Sequence, residues 1–183
     1  STIEGKQVTS IGANAFQGRT GLRSVSIPGP GATISSASFI ALGSNSPEGR
    51  LTVPGGLSGV VAMDAGFNHS VALKSDGTLI AWGGNGGAEN IATVPASLSN
   101  VVEIDCGWAW TLTRRADGSL FAWGANDSSQ ITSLPSGANF VQISAGNMHG
   151  AALRADGTVV CWGRSDMGQS NVPAGLTAVK QVI

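Results

Sequence analysis

The sequence is poor in charge and nearly balanced in sign. Asp, Glu, Lys and Arg make up 11% of its 183 residues, with 10 basic against 11 acidic side chains. Basic residues do not cluster beyond Arg114-Arg115. A protein that binds the phosphate backbone of a nucleic acid needs a basic patch. We therefore expect no nucleic-acid partner.

Long apolar segments are missing as well. Apolar runs stay shorter than the roughly 18 residues that a spanning helix needs, so we expect no membrane span. After residue 50 the chain also lacks an amphipathic pattern long enough for a helix. With 27 glycines the composition is typical of a turn-rich protein, and it favours an all-β surface protein over most enzymes.

What the chain does contain is a repeat of about 40 residues. The segment DGTLIAWGGN begins at Asp76, DGSLFAWGAN at Asp117 and DGTVVCWGRS at Asp156. Ten residues before each Asp stands a glycine, and a proline follows each Trp-Gly pair. The landmark residues are Gly66, His69, Asp76, Gly77, Trp82 and Gly83; Gly107, Asp117, Gly118, Trp123 and Gly124; Gly146, His149, Asp156, Gly157, Trp162 and Gly163.

Each unit is interpreted as about four short strands. Apolar residues on successive positions, as in SVAL and TLIAW, are typical of strands that are covered on both faces. The Asp-Gly pair between them has the chemistry of a tight turn. A degenerate copy of the repeat, the worn first copy, precedes the three full units. In this copy LGSN (residues 42–45) stands where the full units have their Trp-Gly pair.

The pattern AGxxHSxALxxDGxxxAWGxNxxGQxxVP resembles the regulator of chromosome condensation family of β-propellers. The resemblance is strongest to its bacterial versions, one of which is a secreted inhibitor of β-lactamases, and it covers about residues 40–183. It implies an all-β fold with repeated blades. We predict a partial or small propeller of about four four-stranded blades, with units near 59–99, 100–138 and 139–177 and a last strand at 178–183.

The N-terminal part has a different period. IGANAF (residues 11–16) recurs as ISSASF (residues 34–39), and LRSVSIP (residues 22–28) lies between the two copies. This spacing is typical of a leucine-rich solenoid, and the segment resembles the BspA-type leucine-rich repeat of bacterial surface antigens. We predict that residues 1–40 form a leucine-rich-repeat-like cap that merges into the first blade.

The repeated polar residues are predicted to be structural. His69 and His149 share one position in their units, and Trp110 replaces them in the middle unit, which is unusual for a catalytic base. Cys106 and Cys161 replace alanines of the other units, so we expect small buried thiols, with a disulfide as the alternative. We expect no catalytic group, no metal and no cofactor, because neither a tight His or Cys cluster nor a phosphate loop is present.

The candidates for partner binding are Trp108 and Trp110, together with Phe67 and Met148 near the matching positions of the neighbouring units. CGWAW lies just before a strand, where a loop reaches one face of a propeller, and an aromatic residue at such a rim can anchor a partner. The alternative is that both tryptophans fill a larger gap between blades.

These observations predict a non-enzymatic structural or adhesive module, extracellular, on a virion or cell surface. It would act through propeller loops and strand edges, with a protein or possibly a surface glycan as its partner. Because an open arc leaves strand edges bare, we expect a homo-oligomer or part of a larger assembly. The alternative is a secreted inhibitor that binds a target enzyme through one propeller face.

Overall fold

The computed structural model describes residues 52–84 and 90–183, and the predicted cap and worn first copy lie outside them. Within these residues the chain forms nine strands and no helix. The strands are β1 Val60–Ala65, β2 His69–Lys74, β3 Leu79–Gly83, β4 Val101–Cys106, β5 Trp110–Arg115, β6 Leu120–Gly124, β7 Phe140–Ala145, β8 His149–Arg154 and β9 Val159–Gly163. The predicted all-β fold is confirmed.

The strands form three antiparallel sheets, in the orders β1-β2-β3, β4-β5-β6 and β7-β8-β9. In each unit the Asp-Gly turn joins the second and third strands, whose pairing runs without interruption. The first and second strands pair with one irregularity, which falls near the start of β1, β4 and β7 alike. One sheet lies inside each predicted unit, so the repeat in sequence is a repeat in structure.

Each blade has three strands where the sequence predicted four. The proline-containing segments, such as residues 91–100, form turns instead, and in the first unit Leu98 N–H donates to the Pro95 carbonyl at 3.0 Å. Proline has no N–H to donate to a ladder, which disfavours a paired strand there. The predicted last strand at 178–183 also forms no ladder.

The core lies between neighbouring blades. Trp123 packs against Val71 and Leu73 of the preceding blade, and Trp162 belongs to the cluster that contains Leu112 and Leu120. Their indole N–H groups donate to the carbonyls of Ile91 at 3.0 Å and Gln130 at 2.8 Å. The Trp-Gly positions of the second and third blades therefore join each of these blades to the one before it.

The described residues form a partial β-propeller of three blades. Both faces of the middle sheet are largely buried, because apolar side chains of the first and third blades pack against them. The loops between the first and second strands of the blades all emerge at one end of the strands, and the Asp-Gly turns emerge at the other. The first of these two ends carries the predicted binding residues.

Candidate partner-binding surface

Three equivalent loops lie side by side at one end of the blades. They comprise residues 66–68, 107–109 and 146–148, and we call them the loop row. Phe67 N–H donates to the Trp108 carbonyl at 2.9 Å, and Trp108 N–H donates to the Asn147 carbonyl at 3.1 Å. These bonds run from blade to blade, so the backbone of the loop row is held by its neighbours.

Two aromatic side chains project from the loop row. Phe67 is 57% exposed and Trp108 is 41% exposed. Their ring centroids are 5.6 Å apart, and the ring planes are tilted by 43°. Met148, in the third loop, is half-buried, and its sulfur accepts a hydrogen bond from the Ser128 hydroxyl at 3.5 Å. Phe67 and Trp108 thus form an exposed aromatic pair, and their role in partner binding stays a prediction.

Trp110 is not available to a partner, which corrects its assignment as a binding residue. The side chain is fully buried and belongs to the core between the second and third blades. Its indole N–H donates to the carbonyls of Gly146 at 3.2 Å and Asn147 at 3.0 Å. Trp110 begins β5 and its side chain points toward the third blade. These two bonds tie its indole to the third loop of the loop row.

The repeated glycine that begins each loop is required by the ring three residues later. A Cβ added at Gly66 would overlap the His69 ring, and one added at Gly107 would overlap the indole nitrogen of Trp110. A Cβ at Gly66 would also meet the Gly107 carbonyl. Only glycine therefore permits this close approach of ring and backbone.

The two histidines differ in burial. His69 is 1% exposed, and its Nε2 atom lies 2.8 Å from the Thr111 hydroxyl of the next blade. Burial lowers the pKa of His69 to about 4, so the ring is neutral near pH 7. His149 occupies the same position in the third unit but is only half-buried.

The Asp-Gly pairs form the turns that the sequence predicts. Asp76 accepts hydrogen bonds from the Thr78 N–H at 3.0 Å and the Thr78 hydroxyl at 2.5 Å, and these bonds lower the pKa of Asp76 to about 2. Asp117 and Asp156 make the same two bonds to the residue two positions on. The glycines that follow have positive φ, 77° at Gly77, 80° at Gly118 and 83° at Gly157.

An aspartate near the end of a first strand bonds the backbone of the next blade in two places, and the sequence analysis did not predict these contacts. Asp64, at the end of β1, accepts a hydrogen bond from the Cys106 N–H of the second blade at 2.5 Å. Asp105 accepts one from the Ala145 N–H of the third blade at 2.9 Å. Burial and a hydrogen bond to the Asp105 side chain raise the pKa of Asp64 to about 7. The signal available in the sequence was the aspartate that occupies the same position in MDAG (residues 63–66) and in IDCG (residues 104–107).

The two thiols lie in settings that favour the protonated form. Cys106 and Cys161 are free, and burial raises the pKa of both thiols. In residues 52–84 and 90–183 no group of three or more His, Cys, Asp or Glu side chains could hold a metal ion. Among the same residues no helix is long and apolar enough to cross a membrane.

Three blades joined face to face by their tryptophans, with a row of equivalent loops at one end, define a repeat protein of the β-propeller type. Residues 60–86 and 140–169 match the family model of the regulator of chromosome condensation (RCC1) repeat. The family resemblance predicted from the motifs is confirmed for these two segments. No curated protein sequence matches the chain.

Several solved structures share the fold. The ectodomain of the Physcomitrella patens receptor kinase CR4 is 27% identical with a TM-score of 0.55, and Prp20p from Saccharomyces cerevisiae is 25% identical with a TM-score of 0.53. Each match covers 63% of this chain and 33% of the other, so the chain spans about a third of these structures. The C-terminal domain of gp131 from bacteriophage phiKZ is 18% identical with a TM-score of 0.52, covering 68% of this chain and 41% of that domain.

Proposed function

We propose that this chain is a non-enzymatic protein-binding module of a virion or cell surface and that it binds its partner through the loop row. The observation that carries the proposal is the exposed pair Phe67 and Trp108, mounted on loops whose backbone is fixed by bonds between blades. Large aromatic side chains on a rigid support are typical anchors of protein interfaces. Little conformational entropy is lost when such a support binds.

A protein partner is favoured over a surface glycan. The two rings are tilted by 43°, so they form an apolar surface that is not flat across both rings. An uneven apolar surface of this kind suits an apolar side chain of a protein. The low charge of the chain, 11% Asp, Glu, Lys and Arg, also favours an interface based on apolar contact.

The similar structures support the class of function. Prp20p is described by its binding to Gsp1p and histones, and CR4 contributes an ectodomain of a receptor kinase. Both use the fold in a setting of protein recognition or of the cell surface. The extracellular location, and assembly into a homo-oligomer or larger particle, are part of our proposal.

The test compares two matched substitutions of exposed apolar residues. Trp108→Ala removes an anchor of the loop row, whereas Val102→Ala changes a side chain of similar exposure, 46%, near the opposite end of the blades. Immobilised parent protein and both variants are exposed to surface proteins of the host cell or particle. Retained proteins are identified by mass spectrometry, and their affinity is measured with the purified partner.

We expect the Val102→Ala variant to keep the partner of the parent. Trp108→Ala should weaken binding at least tenfold, a loss of about 1.4 kcal/mol. Circular dichroism and melting show whether each variant is folded. Equal retention of the same partner by both variants would place the binding surface elsewhere and refute the proposal.

A further inference from the structure

Two carboxyl groups face each other at the contact between the first and second blades. Asp64 lies near the end of β1 and Asp105 near the end of β4, each two residues before the glycine that begins its loop. Asp64 is 8% exposed, and its side chain is hydrogen-bonded to that of Asp105. An ionised carboxylate only accepts hydrogen bonds. The bond between the two groups therefore exists only while one of them holds a proton.

This carboxyl pair lies beside the loops that carry the exposed aromatic pair. Phe67 stands three residues beyond Asp64, and Trp108 stands three residues beyond Asp105. The Cys106 N–H donates to the Asp64 carboxyl group at 2.5 Å. Further along, the Phe67 N–H donates to the Trp108 carbonyl at 2.9 Å. A short series of bonds thus connects the carboxyl pair with both loops.

The contact between the second and third blades lacks a second carboxyl group. Asp105 accepts the Ala145 N–H there at 2.9 Å, but Ser144 stands where the first contact has its second aspartate. A serine hydroxyl carries no charge at neutral pH. Of the two contacts between the three described blades, only the one beside the exposed aromatic pair is built on two carboxyl groups.

Loss of the proton would place two negative charges at a site that is largely closed to solvent. Burial, the hydrogen bond to Asp105 and the charge of Asp105 raise the pKa of Asp64 to about 7. The N–H groups of Cys106 and Ala65 favour the ionised form, but their effect is smaller. Like charges that face each other in a poorly solvated site repel strongly. The contact should therefore loosen as the pH rises through about 7.

The strands packed against β1 are β2 and β4, and they carry four further titratable groups. His69 is neutral between pH 6 and 8, because burial lowers its pKa to about 4. Burial raises the pKa of the Cys106 thiol well above its ordinary value, so this group is neutral as well. Glu103 and Lys74 are each held in an ion pair with another residue. In the part of the chain that the structure describes, the group on these strands that changes charge near pH 7 is Asp64.

We infer that the carboxyl pair of Asp64 and Asp105 regulates partner binding by the loop row. While the pair shares a proton, it holds the first two loops of the row together and sets Phe67 against Trp108. When the proton leaves, repulsion moves the two blades apart at this end and changes the spacing of the rings. The inference rests on the proposed function, because it concerns the regulation of the same surface. The partner is bound below pH 7 and released above it.

The size of the effect follows from the fraction of the protein that carries the proton. For a partner that binds only the protonated form, the apparent dissociation constant is the intrinsic constant divided by this fraction. With a pKa of about 7, the fraction falls about tenfold between pH 6 and pH 8. The dissociation constant of the partner should therefore rise about tenfold over this range.

The first experiment needs no partner and follows the rings directly. The five tryptophans are labelled with 5-fluorotryptophan, and two fluorine resonances are assigned with Trp108→Phe and Trp162→Phe. The Trp108 resonance should titrate with a midpoint near pH 7. NOEs between the Phe67 and Trp108 rings, recorded on unlabelled protein, should weaken from pH 6 to pH 8. Trp162 packs at the contact between the second and third blades, so its resonance is the internal control and should not titrate in this range.

Substitutions of single carboxyl groups test whether the pair is the cause. Asp64→Asn can donate to Asp105 at every pH, so the titration of Trp108 should vanish. Asp105→Asn removes the facing charge, so the midpoint should fall by about 0.5 pH unit or more. Asp117→Asn, in an exposed turn, and His149→Gln, in the third blade, should leave the midpoint unchanged. Because the two carboxyl variants have different signatures, the test stands even if one of them does not fold.

The second experiment uses the partner that the loop row retains. Its affinity for the parent protein should weaken about tenfold from pH 6 to pH 8, whereas Asp64→Asn should bind it equally at both. A partner that needs Trp108 but binds the parent equally at both pH values would refute the inference and leave the proposed function standing. A titration of Trp108 that persists in Asp64→Asn would overturn it as well. A partner that does not need Trp108 would refute the proposed function, and the regulation with it.

Discussion

The stability of the contact between the first and second blades should depend on pH through two groups of opposite effect. In the folded protein the pKa of Asp64 is raised from its ordinary value of 3.8 to about 7, so its carboxyl group stays protonated below about pH 7. In the folded protein the pKa of His69 is lowered from its ordinary value of 6.5 to about 4, so its ring stays neutral above about pH 4. Both side chains are less than 10% exposed, so solvent screens neither strongly.

The sign of each contribution follows from linkage. The raised pKa of Asp64 adds stability that is complete below pH 3.8 and is lost as pH rises through about 7, a total of about 4 kcal/mol at 1.36 kcal/mol per unit. The lowered pKa of His69 costs stability as pH falls from 6.5 to about 4, about 3 kcal/mol in total. Between pH 4.5 and 6.5 the two slopes oppose each other, from 6.5 to about 7 that of Asp64 acts alone, and above 7 neither group contributes a slope.

Urea denaturation from pH 4.5 to 8 separates the two. The parent protein should vary little up to pH 6.5 and lose less than about 1 kcal/mol above it. Asp64→Asn keeps an acceptor for the Cys106 N–H and can donate to Asp105, so this variant should instead gain about 3 kcal/mol from pH 4.5 to 6.5 and stay level above. His69→Gln should lose about 3 kcal/mol from pH 4.5 to 7.

Asp117→Asn is the matched control for the carboxylate change. Hydrogen bonds to Ser119 lower the pKa of Asp117, so this exposed group titrates below the measured range and the variant should follow the parent profile. The reasoning would be refuted by an Asp64→Asn variant whose stability follows the parent profile from pH 4.5 to 8, since Asp64 would then carry no proton in that range.

Three further predictions concern packing. Trp123→Ala should lower the free energy of unfolding by about 3 to 5 kcal/mol in urea, as for other buried tryptophans; an unchanged value would contradict its core position. Gly107→Ala should lower the melting temperature, because the new Cβ overlaps the indole of Trp110; Gly55→Ala, with open space around it, should not. Trp108→Ala should change stability by less than about 1 kcal/mol; a larger loss would show that Trp108 is part of the core.

The features that could be predicted from the sequence are those that depend on residues close together in the chain. The Asp-Gly turns follow from the side chain of Asp76 and the positive φ of Gly77, so their position could be read directly. The four-strand count failed because the apolar residues near Pro95 belong to turns that pack on the core. Trp110 was misassigned because periodicity alone could not show that its side chain points into the next blade.

The site at the contact between blades could not be predicted from one sequence. Asp64 and Cys106 are 42 residues apart, and nothing local shows that a side chain of one unit bonds the backbone of the next. The same holds for the Gln142 bond to Val182. A regular repeat gave the number and spacing of the units, but the bonds between units depend on how closely neighbouring sheets approach.

Trp123 and Trp162 each cover the blade before their own, so the packing of one blade depends on its neighbours. In a linear array each unit is stabilised only by its neighbours. Within residues 52–84 and 90–183 the second blade is packed against a neighbouring blade on each of its two faces. Amide hydrogens of β5, the central strand of this blade, should therefore be among the slowest of the described residues to exchange with solvent, because opening the middle blade breaks apolar contacts on both of its faces.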